Sequence, residues 1–243
     1  MTKKKFMAMA YESAKLGEYS TKPGVNVGCI IEKNNKILSK GWYEKYGGSH
    51  AEINAIRNLK KNYPKSYREL LDQSSIYISL EPCSKTGKTP PCTDELKKYN
   101  FKEIIIGHED PSQSGANELK KLGFNVSQHK QKNLNINQGF FKKIYTNTPY
   151  IRAKIAMSKD GKTSFKNKRN KWITSAASRK DSQHYRAISD LIITGSGTII
   201  NDDPLLNVRS NKIVKSKGFN QPHKAVITSS NHDLKKFECF HDK

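Results

Sequence analysis

The chain has 243 residues, 35% of them hydrophobic and 9% aromatic, enough for one large or two modest domains that each bury a core. It contains no apolar run of about 18 residues, which argues against a membrane-spanning helix, and no apolar stretch follows the basic start Met1-Thr2-Lys3-Lys4-Lys5, which argues against a secretory leader and for the cytosol. The net charge of +22 raises nucleic acid as a partner. Only seven of the 44 basic residues are arginine, however, and the lysines are scattered rather than clustered; this pattern argues against nucleic acid and for a solvated surface or a field that attracts a phosphorylated small substrate.

In chain order, Thr2 can cap a helix over 2–16, stopped by Gly17 and presenting Phe6, Ala10 and Ala14 on one face. Residues 24–31 lead into a β-branched strand, Lys33-Asn34-Asn35-Lys36 makes a turn, and 37–42 returns as a second strand. Ser49 is placed to cap a helix over 51–61, a short helix follows at 67–71, and 75–80 reads as a strand. After a Gly/Pro-rich loop a helix starts near Pro91, because proline suits the first helical turn. A strand at 103–107, a helix at 117–122, a short strand at 124–126 and a helix over 137–145 complete the alternation. Strands alternating with helices predict the α/β class, here a three-layer α/β/α sandwich.

Asn147-Thr148-Pro149 marks a boundary, giving domains over 1–146 and 147–243. Beyond it, 150–157 alternates as a strand, Ser158-Lys159-Asp160-Gly161 turns, and 165–171 is a charged loop. Residues 178–189 read as helix, 190–194 as a buried strand ending in the turn Gly195-Ser196-Gly197-Thr198, and 225–228 as another short strand. The second segment reads as the opening of a sheet domain.

Cytosolic cysteines are rarely bridged. Cys29 lies in an apolar run and reads as a buried small residue; Cys239 reads as an ordinary free thiol. Cys83 and Cys92 ask for more, because together with His50 they form the ligand set of a zinc site that keeps a fourth position open for water. Glu52, two residues past the histidine, is placed to move that water's proton. Residues two apart on a regular helix point to roughly opposite sides, so His50 is expected at the helix start with non-helical dihedrals. Cys92 opens the next helix, where the positive helix end and a metal both favour thiolate. Cys83 follows Glu81-Pro82 at a strand exit. Such a set points to hydrolytic deamination of an amino-substituted heterocycle, with Glu52 carrying protons to the ring nitrogen and the departing amine. A structural zinc would want a fourth protein ligand, and His108, His129, His184, His223, His232 and His241 lie in other contexts. Eight residues, not the two of the general deaminase pattern, separate the cysteines.

The stretch Leu80-Glu81-Pro82-Cys83-Ser84-Lys85-Thr86-Gly87-Lys88-Thr89-Pro90-Pro91-Cys92 resembles the zinc loop of the bacterial bifunctional riboflavin-biosynthesis deaminase/reductase family. The resemblance extends over about residues 6–230, through Thr21-Lys22-Pro23, Val27-Gly28, Asp110-Pro111, Gly139-Phe140, Pro149 to Lys154, Lys171 to Ser175, Gly197-Thr198, Asp202 to Leu205, and Arg209. It implies a cytidine-deaminase-like domain over 1–146 that deaminates diaminohydroxyphosphoribosylaminopyrimidine. It also implies a dihydrofolate-reductase-like α/β domain over 147–243 that uses NADPH to reduce the product's ribosyl chain. By this resemblance His50, Cys83 and Cys92 hold Zn2+ and Glu52 shuttles protons. Ala156, Trp172, Thr198, Asp202 and Ser229 would meet NADPH, and Lys154, Thr174, Arg186, Leu206 and Arg209 the substrate. Two arginines and a lysine suit a phosphorylated ligand, and Trp172 offers a flat face. Taken alone, these residues would read as solvated charges and a core ring, and Gly195-Ser196-Gly197 is too short for a dinucleotide fingerprint.

Three positions depart from the family pattern. Pro23-Gly24-Val25 stands where Pro-Asn-Pro is usual, Lys85 where histidine is usual, and Asn170 where serine is usual. The family's reductase domain also runs on well beyond the position of Lys243, so a partial reductase domain is expected, impaired unless a second chain completes it; this leaves a homo-oligomer open. Two further readings remain at this point. An RNA base deaminase is favoured by the charge and opposed by the long zinc loop and the second segment. A catalytically decayed, zinc-stabilised binding module is motivated by Gly24, Lys85 and the short C-terminus.

Overall fold

Three runs, Cys29-Ile30-Ile31, Ile76-Tyr77-Ile78 and Ile104-Ile105-Ile106, are apolar at successive positions, the pattern of strands covered on both faces. The computed structural model, which describes residues 2–131, 136–164, 172–229 and 233–241, sets them side by side in one sheet. The chain forms two units, Met1–Tyr150 and Ile151–Lys243. The first contains α1 (Lys3–Lys15), β1 (Gly28–Lys33), β2 (Lys36–Trp42), α2 (Ala51–Asn62), α3 (Tyr67–Leu71), β3 (Ser75–Leu80), α4 (Cys92–Leu96), β4 (Glu103–His108), α5 (Gly115–Lys121), β5 (Val126–Gln128) and α6 (Gln138–Thr146). Sheet order is β2-β1-β3-β4-β5, with β1 antiparallel to both its neighbours and β3, β4 and β5 parallel.

Side chains alternate across a strand, which sorts the core into two faces. Cys29, Ile31, Ile76, Ile78 and Ile104 pack with Ala55 and Leu59 of α2, Leu71 of α3, Leu96 of α4 and Leu119 of α5. Ile30, Tyr77 and Ile105 pack instead on Phe6, Met7, Ala10 and Tyr11 of α1. Three layers result, as the alternation predicts. Asn34 and Asn35 both take positive φ, 54° and 62°, in a two-residue hairpin turn whose twist matches the strands. α2 lies so close to β2 that a Cβ at Gly41 would stand 2.3 Å from the Ala55 nitrogen.

The caps differ from expectation. The Thr2 side chain makes no capping hydrogen bond. His50, not Ser49, is the N-cap of α2, and the Ser49 hydroxyl instead accepts from Arg57. Pro91 is the N-cap of α4, one place ahead of the first helical turn.

The second unit contains α7 (Ala176–Ala187), β6 (Leu191–Gly195), α8 (Ser196–Asp202), α9 (Asn211–Val214), β7 (His223–Ile227) and a 3-10 turn at Glu238–Phe240. Ser175 caps α7 by accepting from the Ser178 nitrogen at 3.2 Å. β6 and β7 pair in parallel, over a small core of Ile199, Leu206 and Cys239. Three expectations fail here. Residues 150–157 alternate but form no strand: alternation makes a face, whereas a strand also needs a ladder partner, and Ile151 and Ile155 are 82% and 68% exposed. β6 is half-buried on alternate residues rather than fully buried, because it has cover on one face only. Gly195 through Thr198 is not a turn: Gly195 ends β6 and is the N-cap of α8, which begins at Ser196. The charged loop 165–171, with Asn170 and Lys171, lies outside the described residues, as does His232. Among the described residues no helix is long and apolar enough to cross a membrane.

Candidate metal centre and active site

At the N-cap of α2, His50 has φ −70° and ψ 166°, so its backbone is extended and its imidazole leaves the helix direction. Glu52, in the first turn, is 3% exposed. His50 Nδ1 lies 3.2 Å from Cys92 Sγ and 3.4 Å from Cys83 Sγ. Cys83 is held in place by its neighbours: the Glu81 carboxylate accepts from the backbone nitrogens of Asp110 at 3.0 Å and Ala116 at 2.8 Å, pinning the exit of β3. Cys92, the first residue of α4, donates its backbone N–H to Cys83 Sγ at 3.2 Å, and the Thr93 nitrogen donates to the Cys83 carbonyl at 3.2 Å.

The three ligand atoms all lie within 4.8 Å of one another. Zinc bonds of about 2.3 Å to sulfur and about 2.0 Å to nitrogen set tetrahedral ligands about 3.5–3.8 Å apart, so one ion fits this cluster without refolding. The electrostatics agree. A hydrogen bond from Cys92, helped against burial by one from His50, brings the Cys83 thiol down to about 4. The same bond to Cys83, then burial, pushes Cys92 up. Burial raises the Glu52 carboxyl above its ordinary range, and its Oε2 has no hydrogen-bond partner among the described residues.

A cavity of about 140 Å³ adjoins the cluster, lined by Gly24, Val25, Val27, Tyr43, His50 and Glu52. A larger one of about 220 Å³, beside β4, β5 and α5, includes Glu81 and Asp110 but none of the three ligands. Its buried carboxylates are already occupied by backbone N–H groups, so the chemistry belongs to the smaller cavity. Two residues that the sequence reading gave no role also touch the site. The Tyr43 ring meets the His50 ring edge-on at 5.5 Å, and Thr89 Oγ1 lies 3.4 Å from His50 Nε2. Thr89 could have been suspected from its place in the zinc loop; Tyr43 carries no such signal.

Two of the departures now have causes. A Cβ at Gly24 would stand 2.8 Å from the Thr21 carbonyl and 3.2 Å from both the Tyr43 and Tyr46 rings, so an asparagine there would press on the Thr21 backbone and crowd both tyrosines. Lys85 donates to the Ser112 carbonyl at 2.6 Å, tying the zinc loop to the segment after β4.

Residues 1–108 match the cytidine and deoxycytidylate deaminase zinc-binding region, and residues 149–243 match the RibD C-terminal domain. The riboflavin biosynthesis protein RibD of Buchnera aphidicola subsp. Baizongia pistaciae is 41% identical over 249 residues, covering 96% of this chain and 65% of that protein. The diaminohydroxyphosphoribosylamino-pyrimidine deaminase of Buchnera aphidicola subsp. Schizaphis graminum is 42% identical, covering 59% of this chain and 97% of that one. The chain belongs to the RibD family. The solved structure of Acinetobacter baumannii RibD, form 1, agrees with a TM-score of 0.87 at 36% identity, covering 98% of this chain and 66% of that one. The chain thus spans about 65% of the length of its first RibD relative. As in the RibD family, a cytidine-deaminase-like zinc-binding domain is followed by a RibD C-terminal domain.

The second unit brings some of its candidate residues together and leaves others apart. Arg186 and Arg209 are brought together: Arg186 Nη1 donates to the Asn207 carbonyl at 2.9 Å, and Arg209 Nη1 to Asn207 Oδ1 at 3.4 Å. Burial, then the Arg209 charge, lowers the Arg186 guanidinium from its ordinary value. Leu206 is buried beside Asn207, with φ 52°. Arg179 lies 4.6 Å over the Trp172 ring and donates to the Thr174 carbonyl, linking those two residues. Lys154, Thr198, Asp202 and Ser229 stand exposed, and Ala156 is half-buried.

Proposed function

We propose that residues 1–146 hydrolytically deaminate diaminohydroxyphosphoribosylaminopyrimidine, a phosphoribosylated pyrimidine of riboflavin biosynthesis. The observation that carries this is the buried Glu52 Oε2, without a hydrogen-bond partner among the described residues, on the wall of the cavity that adjoins His50, Cys83 and Cys92. His50, Cys83 and Cys92 would hold zinc, which when bound would supply the Lewis acidity that makes a water's proton easy to remove. Glu52, its carboxyl raised by burial, takes that proton and returns it to the ring nitrogen, then passes the second to the departing amine. The water oxygen becomes the ring carbonyl and the amine leaves as ammonia. Val25, Val27 and Tyr43 give the flat ring apolar walls and keep bulk water from the proton path.

Zinc-loaded protein supplied with the phosphoribosylated diaminopyrimidine should release ammonia. A Glu52→Gln variant that keeps its zinc should be slower by about a hundredfold or more. Absence of ammonia from wild-type protein carrying one zinc per chain would sink the proposal.

For residues 147–243 we read a reductase-type unit that takes the product and NADPH. Arg186 and Arg209, joined through Asn207, would with Lys154, Thr174 and Leu206 receive the phosphorylated substrate, and the partly buried Arg186 guanidinium held beside the exposed Arg209 supports this. Ala156, Trp172, Thr198, Asp202 and Ser229 would meet NADPH; four of these five are exposed, so the reading extends to binding and no further. The homo-oligomer stays a proposal for sedimentation to test. A cytoplasmic setting suits a zinc site whose thiol ligands must stay reduced. An RNA deaminase is not favoured, since the relatives are riboflavin-pathway proteins over both units. Nor is a decayed module, because Gly24 and Lys85 are accommodated without disturbing the ligand cluster.

A further inference from the structure

The chain joins the sheet only at Gly28, yet the residues just before it form a wall of the cavity through Val25 and Val27. A wall segment outside a ladder must have its backbone N–H and C=O groups satisfied in some other way. Asn137 does this for Asn26. Its side-chain Oδ1 accepts from the Asn26 nitrogen at 2.8 Å, and its Nδ2 donates to the Asn26 carbonyl at 2.9 Å. One side chain thereby reproduces the double exchange that a directly opposite residue makes in an antiparallel ladder. Asn137 is the N-cap of α6 and has φ 62°, a left-handed conformation that asparagine tolerates better than most residues.

The neighbouring groups complete the fastening. Thr21 Oγ1 donates to Asn26 Oδ1 at 2.7 Å, and the Val27 carbonyl accepts from the Tyr43 nitrogen at 2.9 Å. α6 itself buries none of its residues. Its start is anchored by this amide and by the Phe141 ring lying 5.6 Å from that of His108.

We propose that Asn137 is a positioning residue for the substrate cavity: its amide acts as a one-residue surrogate strand that sets the Val25–Val27 wall at the spacing the pyrimidine needs beside Glu52. This rests on the deaminase reading of the cavity. Asn137 touches neither the ligands nor Glu52, so its effect falls on substrate binding and leaves the metal in place.

The test uses full-length Asn137→Asp and Asn137→Ala, with Lys143→Ala as control. Asn137→Asp keeps the shape and one acceptor but sets a carboxylate oxygen against the Asn26 carbonyl. Lys143 donates to Asn147 Oδ1 at the far end of α6, at 2.7 Å and exposed, so its loss perturbs the helix without reaching the cavity. Asn137→Asp should raise KM for ammonia release about tenfold, with kcat changed less than about threefold and zinc content as in wild type. Hydrogen exchange of the peptide containing residues 24–27 should accelerate in both Asn137 variants and not in Lys143→Ala. Unchanged KM despite accelerated exchange would overturn the proposal and leave the deaminase reading standing, as would loss of zinc with a fall in kcat. Wild-type protein that holds zinc but releases no ammonia would instead overturn the deaminase reading, and this inference with it.

Discussion

His50 reaches its two sulfurs through Nδ1, which leaves Nε2 to whatever orients the ring. Thr89 Oγ1 stands 3.4 Å from Nε2, and Tyr43 meets the ring edge-on. Groups behind a metal ligand typically change affinity by about tenfold to a hundredfold. Thr89→Val should therefore weaken zinc binding by about that factor and Thr89→Ser should restore it, as read by chelator competition. Equal affinity in wild type and Thr89→Val would show that Tyr43 alone holds the ring. Gly24 gives a second prediction. Restoring the family's asparagine with Gly24→Asn should destabilise the protein by about 1–3 kcal/mol, the usual effect of overpacking, because the new Cβ meets Thr21, Tyr43 and Tyr46. Gly24→Asn combined with Tyr46→Ala should regain part of the loss in thermal denaturation; a double variant less stable than the single would refute the coupling. Residue type and spacing made the ligands and Glu52 legible in sequence. Tyr43 and Asn137 were not, because a supporting contact leaves no pattern along the chain.

Among the elements, α1 and β4 are joined by two polar contacts across the sheet face. Tyr11 bonds through its hydroxyl to His108 Nδ1, and Lys3 pairs with Glu103 at 2.5 Å. Burial, then the charge of Lys130, lowers the His108 imidazole below its ordinary value of about 6.5. The unfolded chain therefore takes up this proton more readily. The contribution is fully present above about pH 6.5 and is lost as pH falls through the lower folded value. The difference in melting temperature between wild type and His108→Asn should be widest above pH 7 and should narrow toward pH 5. A difference constant with pH would exclude His108 as the titrating group. Element type was readable wherever apolar periodicity coincided with a packing partner, as in α2, β3 and β4. It failed at 150–157, where alternation had no neighbouring strand, and at Gly195–Thr198, where two glycines suggested a turn but Ile199 finds a core contact that supports α8.

At the scale of the whole molecule the two units differ in how well their backbone is secured. The first has a five-stranded sheet covered on both faces, the second a two-stranded sheet and a small core. Segments without ladder hydrogen bonds or burial open at low cost and are cleaved first. Brief trypsin treatment should cut within 152–162 and leave the zinc-binding fragment intact, as mass spectrometry with metal analysis would show. First cuts inside α2 or β3 would contradict this ordering.

The sequence alone determined the alternation of strands and helices in the first unit, and it singled out His50, Cys83 and Cys92, which the fold brings together, with Glu52 as the candidate proton carrier beside them. Periodicity and ligand chemistry are properties of residue type and spacing, which folding does not alter. Only the tertiary structure decided that His50 caps α2, that the Thr21 carbonyl with Tyr43 and Tyr46 crowds a side chain at residue 24, and that Asn137 serves as a strand for Asn26 from 111 positions away. Those contacts join residues remote in the chain, and only the packing of helices on the sheet sets their distances.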